Sequence, residues 1–442
     1  MHILWVKMGG LWPPTTGGRV RSLRIVSELA RRHQVTLVTT HGPDDDPDGL
    51  TRALSHCHEV ISIPHIVPKR GSAAFPGAVA RSWLSSYPVD LWKWRVPAVR
   101  ARVRTLLDRG AVDLCVADFL FAAANVPMGG PTPHVLFEHN VEYLIWQRLC
   151  ALESSPWRRA LFEIEWRKLR ARETDACLRA DLTVAVSEDD RRRFEALAPG
   201  IHATSISTGV DTTYFTPDAH AERPDRLVFS GSMDWHPNED AVLYFADAIL
   251  PRIRAEVPGV SLTVVGRNPS ARLREAATRA GIHVTGTVED VRPSMAEAAV
   301  YVVPLRAGGG TRLKIFEALA MARAVVSTTV GAEGLAIEPG RHFVAADDPG
   351  DFAAAVVRLL RDPEARRALG QAGRDLVEAR YSWPTVAREF EERCEGVVAL
   401  HACTRRTAVR GADLSRAGSP RHRGARVVAG EHAAIGWSHH HS

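Results

Sequence analysis

The sequence predicts an α/β protein of two doubly wound, parallel-sheet domains facing a central cleft. Three observations carry this. Short apolar, β-branched runs alternate with amphipathic helical stretches along nearly the whole chain. Glycines recur at the carboxyl ends of those runs, where open α/β sheets bind ligands. A polar, proline-bearing stretch, PDAHAERPD, interrupts the alternation midway and has linker composition. The expected organisation is an N-terminal domain over 1–212, a linker over 213–226, a second domain over 227–382, a returning helix over 383–400 and a disordered basic tail over 401–442.

In chain order, His2 to Met8 reads as a buried strand, followed by the loop GGLWPPTTGG, a helix near Arg19 to Arg32 and a strand from Val35 to Thr40, which is a βαβ opening. Asp44, Asp45 and Asp46 lie among Pro and Gly and read as a solvated turn rather than a metal site. From Trp83 to Arg109 aromatic and basic residues interleave, which suits either an anionic membrane surface or a solvated helix with packed Trp. Leu114 to Asp118 and His134 to Glu138 read as strands, the second running into His139, a candidate for chemistry set against an ordinary structural His. A helix over Trp157 to Arg179, a strand over Leu182 to Val186 and a Ser187 cap continue the pattern. Beyond the linker come strands from Leu227, Ser261, His283, Val300 and Ala324, with Gly231, Gly266 and Gly286 at strand ends.

One unit stands out, YVVPLRAGGGTRLKIFEALA. Gly308, Gly309 and Gly310 free the backbone for close approach, Thr311 is placed to cap a helix, and helix starts favour anions. Lys314 and Glu317 share a helix face. The run fits neither a Walker A loop nor GxGxxG, and a glycine-softened turn with a surface ion pair is the plainer alternative.

Composition is that of a soluble globular protein, 45% apolar and 24% charged over 442 residues. Seven Arg against Asp413 and Glu431 from His401 onward account for the formal +5, so the body is neutral and nucleic acid is not an expected partner. Six scattered cysteines lack metal or redox spacing and suit a reducing cytoplasm. No apolar run reaches the roughly 18 residues of a membrane span.

Taken together, the Gly17–Gly18 loop, His139 in FEHNVEY, VSEDDRRRF, STGVDTTYF and PLRAGGGTRLKIFEALA resemble the retaining glycosyltransferases of family four, with the GT-B fold of two Rossmann-like domains. GSMDWHPNEDA and TTVGAEGL are similar to its bacterial polysaccharide-building branch. The resemblance, over roughly residues 1 to 400, implies transfer of a sugar from a nucleotide-sugar to a glycan or lipid-linked acceptor, with no cofactor and no metal. It implies that Glu317, the second Glu of the EX7E element, holds the donor ribose, while the first Glu falls on Gly309. The family's diphosphate-gripping Arg and Lys fall near Ser232 and Asn238 and are missing. Lys314, with Arg312 or Arg306, is then the local source of positive charge, backed by the N–H groups of Gly308 to Thr311. The base is expected against Gly266, Arg267 and the loop holding Val288 and Asp290, with Gly231 on the same side. Gly17, Gly18 and His139 are expected across the cleft. A nucleotide-sugar epimerase and a catalytically silent binding scaffold are the alternatives.

Overall fold

The computed structural model describes residues 1–69, 71–218, 222–307 and 313–417. The first half builds a parallel sheet of β1 (His2–Lys7), β2 (Gln34–His41), β3 (Glu59–Pro64), β4 (Leu114–Asp118), β5 (His134–Phe137), β6 (Leu182–Ala185) and β7 (Ala203–Ser205), in the order β3-β2-β1-β4-β5-β6-β7. The second half builds β8 (Arg223–Ser230), β9 (Ser261–Val265), β10 (His283–Val284), β11 (Ala298–Val303), β12 (Ala324–Ser327) and β13 (Val344–Ala345), also parallel, in the order β10-β9-β8-β11-β12-β13. Each sheet reverses its winding once, between β1 and β4 and between β8 and β11. Those switch points open a crevice at the carboxyl ends of the strands.

Alternation along the central strands sorts the first half into two cores. Leu4, Val6, Cys115, Ala117 and Leu136 face one side, and Ile3, Trp5, Leu114, Val116 and Phe137 face the other, as a period of two requires. The second side is closed from far along the chain. Trp383, Val386, Phe390, Cys394 and Val397 recur at helical spacing and join the core around Trp5. Trp5 lies 5.6 Å from Phe137 and 5.5 Å from Phe390, ring to ring.

The chain crosses between the halves twice at one place. Val210 N donates to Tyr381 O at 2.7 Å, and a Cβ on Gly209 would sit 2.6 Å from the Trp383 ring, so only glycine lets the two crossings lie this close. Arg374 holds the carbonyls of Thr212, Phe215 and Ala320, and Glu222 accepts from Arg323 at 3.0 Å and from Arg366 at 2.7 Å.

Several expectations need correction. β8 begins at Arg223 rather than Leu227. The Trp83–Arg109 stretch is not one helix: Phe75–Trp83, Val89–Lys93 and Pro97–Asp108 are separate, with Pro88 and Pro97 at the breaks, where proline starts helices but cannot continue them. The last helix is Trp383–Ala417 and passes residue 400, through Ala- and Arg-rich sequence of good helix propensity. Residues 418–442 of the expected tail and 219–221 of the expected linker lie outside the described residues.

Candidate functional site

At the switch point of the first sheet, β1, β4 and β5 end side by side. The register pairs Lys7 with Asp118 and Asp118 with Phe137, which brings Lys7, Asp118 and His139 to one spot. Asp118 Oδ1 accepts from Lys7 Nζ at 2.7 Å and from His139 Nε2 at 2.8 Å, and its Oδ2 accepts from Trp5 Nε1 at 2.8 Å. Burial opposes its charge, but Lys7 and His139 outweigh that and hold the carboxyl well below the usual range. Arg21, fully buried in the helix Gly17–Ala30, donates to the carbonyls of Glu138 at 2.7 Å and Ile206 at 2.6 Å. Its Nη1 also lies 3.4 Å from His139 Nδ1. Burial brings Arg21 down to about 9.

These neighbours fix the state of His139. Arg21 can only donate, so Nδ1 accepts and Nε2 carries the proton that Asp118 receives. Burial, with the positive charge of Lys7 beside it, lowers the imidazole to about 4. The ring is therefore neutral near pH 7. Gly18 packs against it: a Cβ there would meet the ring at 3.9 Å, an ordinary contact. Thr16 caps the same helix, accepting from Arg19 N.

Across the cleft, the helix Leu313–Ala320 presents Lys314 and Glu317. Lys314 Nζ donates to Asn238 Oδ1 at 2.7 Å and lies 4.2 Å over the Phe229 ring. Asn238 in turn donates to Ser232 O at 2.8 Å. Gly231 directly follows β8 at φ 154°, and a Cβ there would lie 2.7 Å from both Lys314 Nζ and Asn238 Nδ2. Glycine thus opens the space into which the ammonium projects. Glu317 is half-buried, and burial raises its carboxyl to about 7 against the pull of Lys314. Leu313 reaches the other half, 3.3 Å from where a Gly17 Cβ would be. The resulting cleft of about 440 Å³ takes Lys7, Gly17, Gly18 and His139 from one half and Leu313 from the other.

Of the residues expected from sequence, Lys314, Glu317 and Gly231 share one neighbourhood, and Gly17, Gly18 and His139 share the facing one. Gly266 has a packing reason the sequence did not show, since a Cβ would fall 1.7 Å from Gly231 O. Arg267 donates to Ser232 Oγ at 2.7 Å. Val288 is exposed. Asp290 is engaged by Arg292 at 2.7 Å, whose bonds hold its carboxyl below the usual range. Arg306, expected to support the diphosphate, pairs with Asp240 at 2.6 Å. Gly308, Gly309, Gly310, Thr311 and Arg312 lie outside the described residues. Sequence reasoning missed Lys7, Asp118, Arg21 and Asn238. The first two had a signal, a charged residue closing each of the buried strands HILWVK and LCVAD.

Among the described residues, His33, Glu391 and Glu395 are spaced like metal donors. They sit at the opposite, amino-terminal edge of the sheet, and Glu391 already accepts from His33 at 2.6 Å and Arg32 at 2.5 Å.

Residues 15–214 match the family Glycosyltransferase Family 4, and residues 224–362 match the family Glycosyl transferases group 1. A phosphatidyl-myo-inositol mannosyltransferase of Mycolicibacterium smegmatis is 31% identical over 217 residues, 47% of this chain and 55% of that one. A GDP-mannose-dependent alpha-(1-6)-phosphatidylinositol monomannoside mannosyltransferase of Mycobacterium tuberculosis is 29% identical over 243 residues, 49% and 62% of the two chains. This chain spans about half the length of the curated relatives it matches. Among solved structures, sucrose-phosphate synthase from Thermosynechococcus elongatus superposes with a TM-score of 0.64 at 16% identity, covering 90% of this chain and all of that one. Anabaena HepE in complex with UDP gives 0.62 at 14% identity, covering 90% of this chain and 100% of the other.

Proposed function

Because this chain belongs to glycosyltransferase family 4, with the GT-B fold, we propose that it moves a glycosyl residue from a nucleotide-sugar to a lipid-linked or glycan acceptor, with retention and without a metal. One observation carries this reading: Lys314, braced by Asn238 beside Gly231, comes directly after Leu313, which enters the cleft that the neutral His139 lines from the other half. An ammonium in that position suits a diphosphate leaving group, since charge-assisted contacts are the strong ones. His139, held neutral with Nε2 protonated, suits a sugar hydroxyl or carbonyl rather than a phosphate. Glu317, when ionised, suits the two ribose hydroxyls. In the proposed reaction the acceptor oxygen bonds to the anomeric carbon as the bond to the phosphate oxygen breaks on the same face. The departing phosphate takes the acceptor's proton. The protein contributes positioning and stabilisation of the leaving charge.

The mannosyltransferase relatives act, by their names, on phosphatidylinositol lipids, which supports a lipid-linked acceptor at the cytoplasmic face of a membrane. Exposed Ile66, Trp83, Leu84 and Trp157 support peripheral attachment. Among the described residues no helix is long and apolar enough to cross a membrane. The bacterial motif resemblance supports a place in surface or extracellular polysaccharide assembly. A panel of UDP- and GDP-sugars, with and without acceptor, tests the reading by nucleoside diphosphate release. Interconversion of the sugar without acceptor would instead mark an epimerase, and tight donor binding without product a scaffold. Neither binding nor release with any donor would refute all three.

A further inference from the structure

A second cavity, of about 270 Å³, opens in the first half of the chain. It lies behind the short helix Leu120–Ala123: Phe119 and Phe121 line the cleft, whereas Leu120, Ala123 and Ala124 line the cavity. Leu91, Val126 and Met128 continue an apolar wall, and Arg100, Arg172, Asp175 and Arg179 bring charge to it.

The charges do not cancel. Arg179 pairs with Asp175 at 2.9 Å. Arg172 donates to the carbonyl of Ser86 at 3.3 Å and stacks 4.7 Å from the Tyr87 ring, contacts that leave its charge in place. Arg100 is exposed and makes no ion pair among the described residues. Two uncompensated guanidinium groups over an apolar floor match a ligand that is anionic at one end and apolar at the other. A bare anion leaves the apolar wall wet, and a bare acyl chain leaves the arginines unused. The surroundings point to where such a ligand comes from. Tyr87 lines the cavity and Arg172 holds Ser86, in the same turn that exposes Trp83 at 55% and Leu84 at 91%. Lys168 braces that turn through Ser82 O at 3.1 Å. Large exposed apolar side chains beside arginines suit the boundary between headgroups and acyl chains.

We infer that this cavity binds the phosphate head and first carbons of an anionic phospholipid at a membrane surface, as a site separate from the cleft. The inference builds on the membrane attachment proposed above but not on the transfer reaction. A ligand here would press on the helix that carries Phe121, and that Phe119 precedes, into the cleft, so occupancy is placed to bear on the acceptor side.

The test uses full-length protein and a water-soluble short-chain phosphatidylglycerol below its micelle concentration, so that no membrane surface contributes. Saturable binding is expected. Arg100→Glu should weaken it about tenfold or more, the scale of one charge-assisted contact. Arg104→Glu, one turn along the same exposed helix face but outside the cavity, should leave it unchanged. Met128→Trp, which fills the cavity, should abolish it, and Arg100→Gln repeats the charge test if Arg100→Glu fails to fold. No saturable binding, equal effects of the two reversals, or inorganic phosphate binding as tightly as the lipid would each overturn the inference. UDP and GDP binding, measured alongside, reports the cleft independently, so failure of the transferase reading and failure of this site are distinguishable.

Discussion

The two halves share one winding plan yet hold their charges differently. In the first, Lys7 and Asp118 are buried, 7% and 0% exposed, and a buried network joins them to Trp5, His139 and Arg21. In the second, Lys314 and Glu317 are half-buried on the helix Leu313–Ala320. Charge that is buried and paired is part of what the fold rests on, because removing one partner leaves the other stranded. Charge left half-exposed answers mainly to ligand. The first half should therefore fail as structure when its charges are altered, and the second as binding.

Asp118→Asn tests this most severely. It leaves Lys7 buried without its counter-charge, and a loss of about 3–5 kcal/mol is expected in denaturant unfolding. Because the Asp118 carboxyl is held below its ordinary value, its contribution is present above the usual carboxylate range and fades as pH falls. In the variant that acid-dependent component should vanish. Lys314→Ala should behave oppositely. Unfolding should change by less than about 1 kcal/mol, while affinity for the donor falls about tenfold or more, the loss of 1.5–3 kcal/mol typical of a charged contact. A stable Asp118→Asn, or an unfolded Lys314→Ala, breaks the comparison.

What the sequence made legible follows the same division. Strand β4 was readable to its ends because Leu114 to Asp118 is fully buried and β-rich. Strand β3 was not, because an edge strand half-exposed along its length has no clear apolar face. Very short β7, β10 and β13 give little periodicity of their own, and only β10 was read. Lys314 and Glu317 could be paired from their spacing on one helix. Lys7 and Asp118 are 111 residues apart, and only strand register brings them together. Arg21 also broke the usual rule by being a charged residue buried on a helix whose other buried residues, Ser22 apart, are apolar, a cost its carbonyl partners offset. Asp290 and Arg306 drew ligand roles because their partners, Arg292 and Asp240, were invisible as partners. The same blindness hid the cavity behind Leu120–Ala123, whose Arg100 and Arg172 come from two helices far apart in sequence.

Glu317 sharpens the comparison through pH. Its carboxyl is raised from 4.5 to about 7. The folded chain then binds more protons than the unfolded one between those values, so this group favours the fold at low pH and its contribution declines as pH rises towards 7. Glu317→Gln should remove that decline. Ribose hydroxyls favour the ionised carboxylate, so donor affinity in the unaltered protein should rise through about pH 7, with proton release detectable by calorimetry in buffers of differing ionisation enthalpy. The variant should lose about tenfold in affinity above that pH, within the range for a hydrogen bond to a charged group, and lose the proton release. A flat affinity profile in the unaltered protein would remove Glu317 from the donor contact.

The smallest expected effect tests where the halves meet. Gly17 and Gly18 are neighbours in sequence, but a Cβ on Gly17 would meet Leu313 of the opposite half at 3.3 Å, and one on Gly18 would meet His139 of its own half at 3.9 Å. The first contact is tight and crosses the cleft; the second is ordinary and does not. Neither position has a positive φ, and alanine is a good helix former, so both substitutions should leave stability within about 0.5 kcal/mol. Gly17→Ala should nevertheless raise the donor KM about twofold to threefold, the scale of roughly 0.5 kcal/mol, with kcat little changed. Gly18→Ala should be silent. Adding Leu313→Ala to Gly17→Ala should restore the KM, because the crowding side chain is then gone. Equal behaviour of the two glycine variants, or no rescue by Leu313→Ala, would show that the approach of Gly17 to Leu313 does not bear on donor binding.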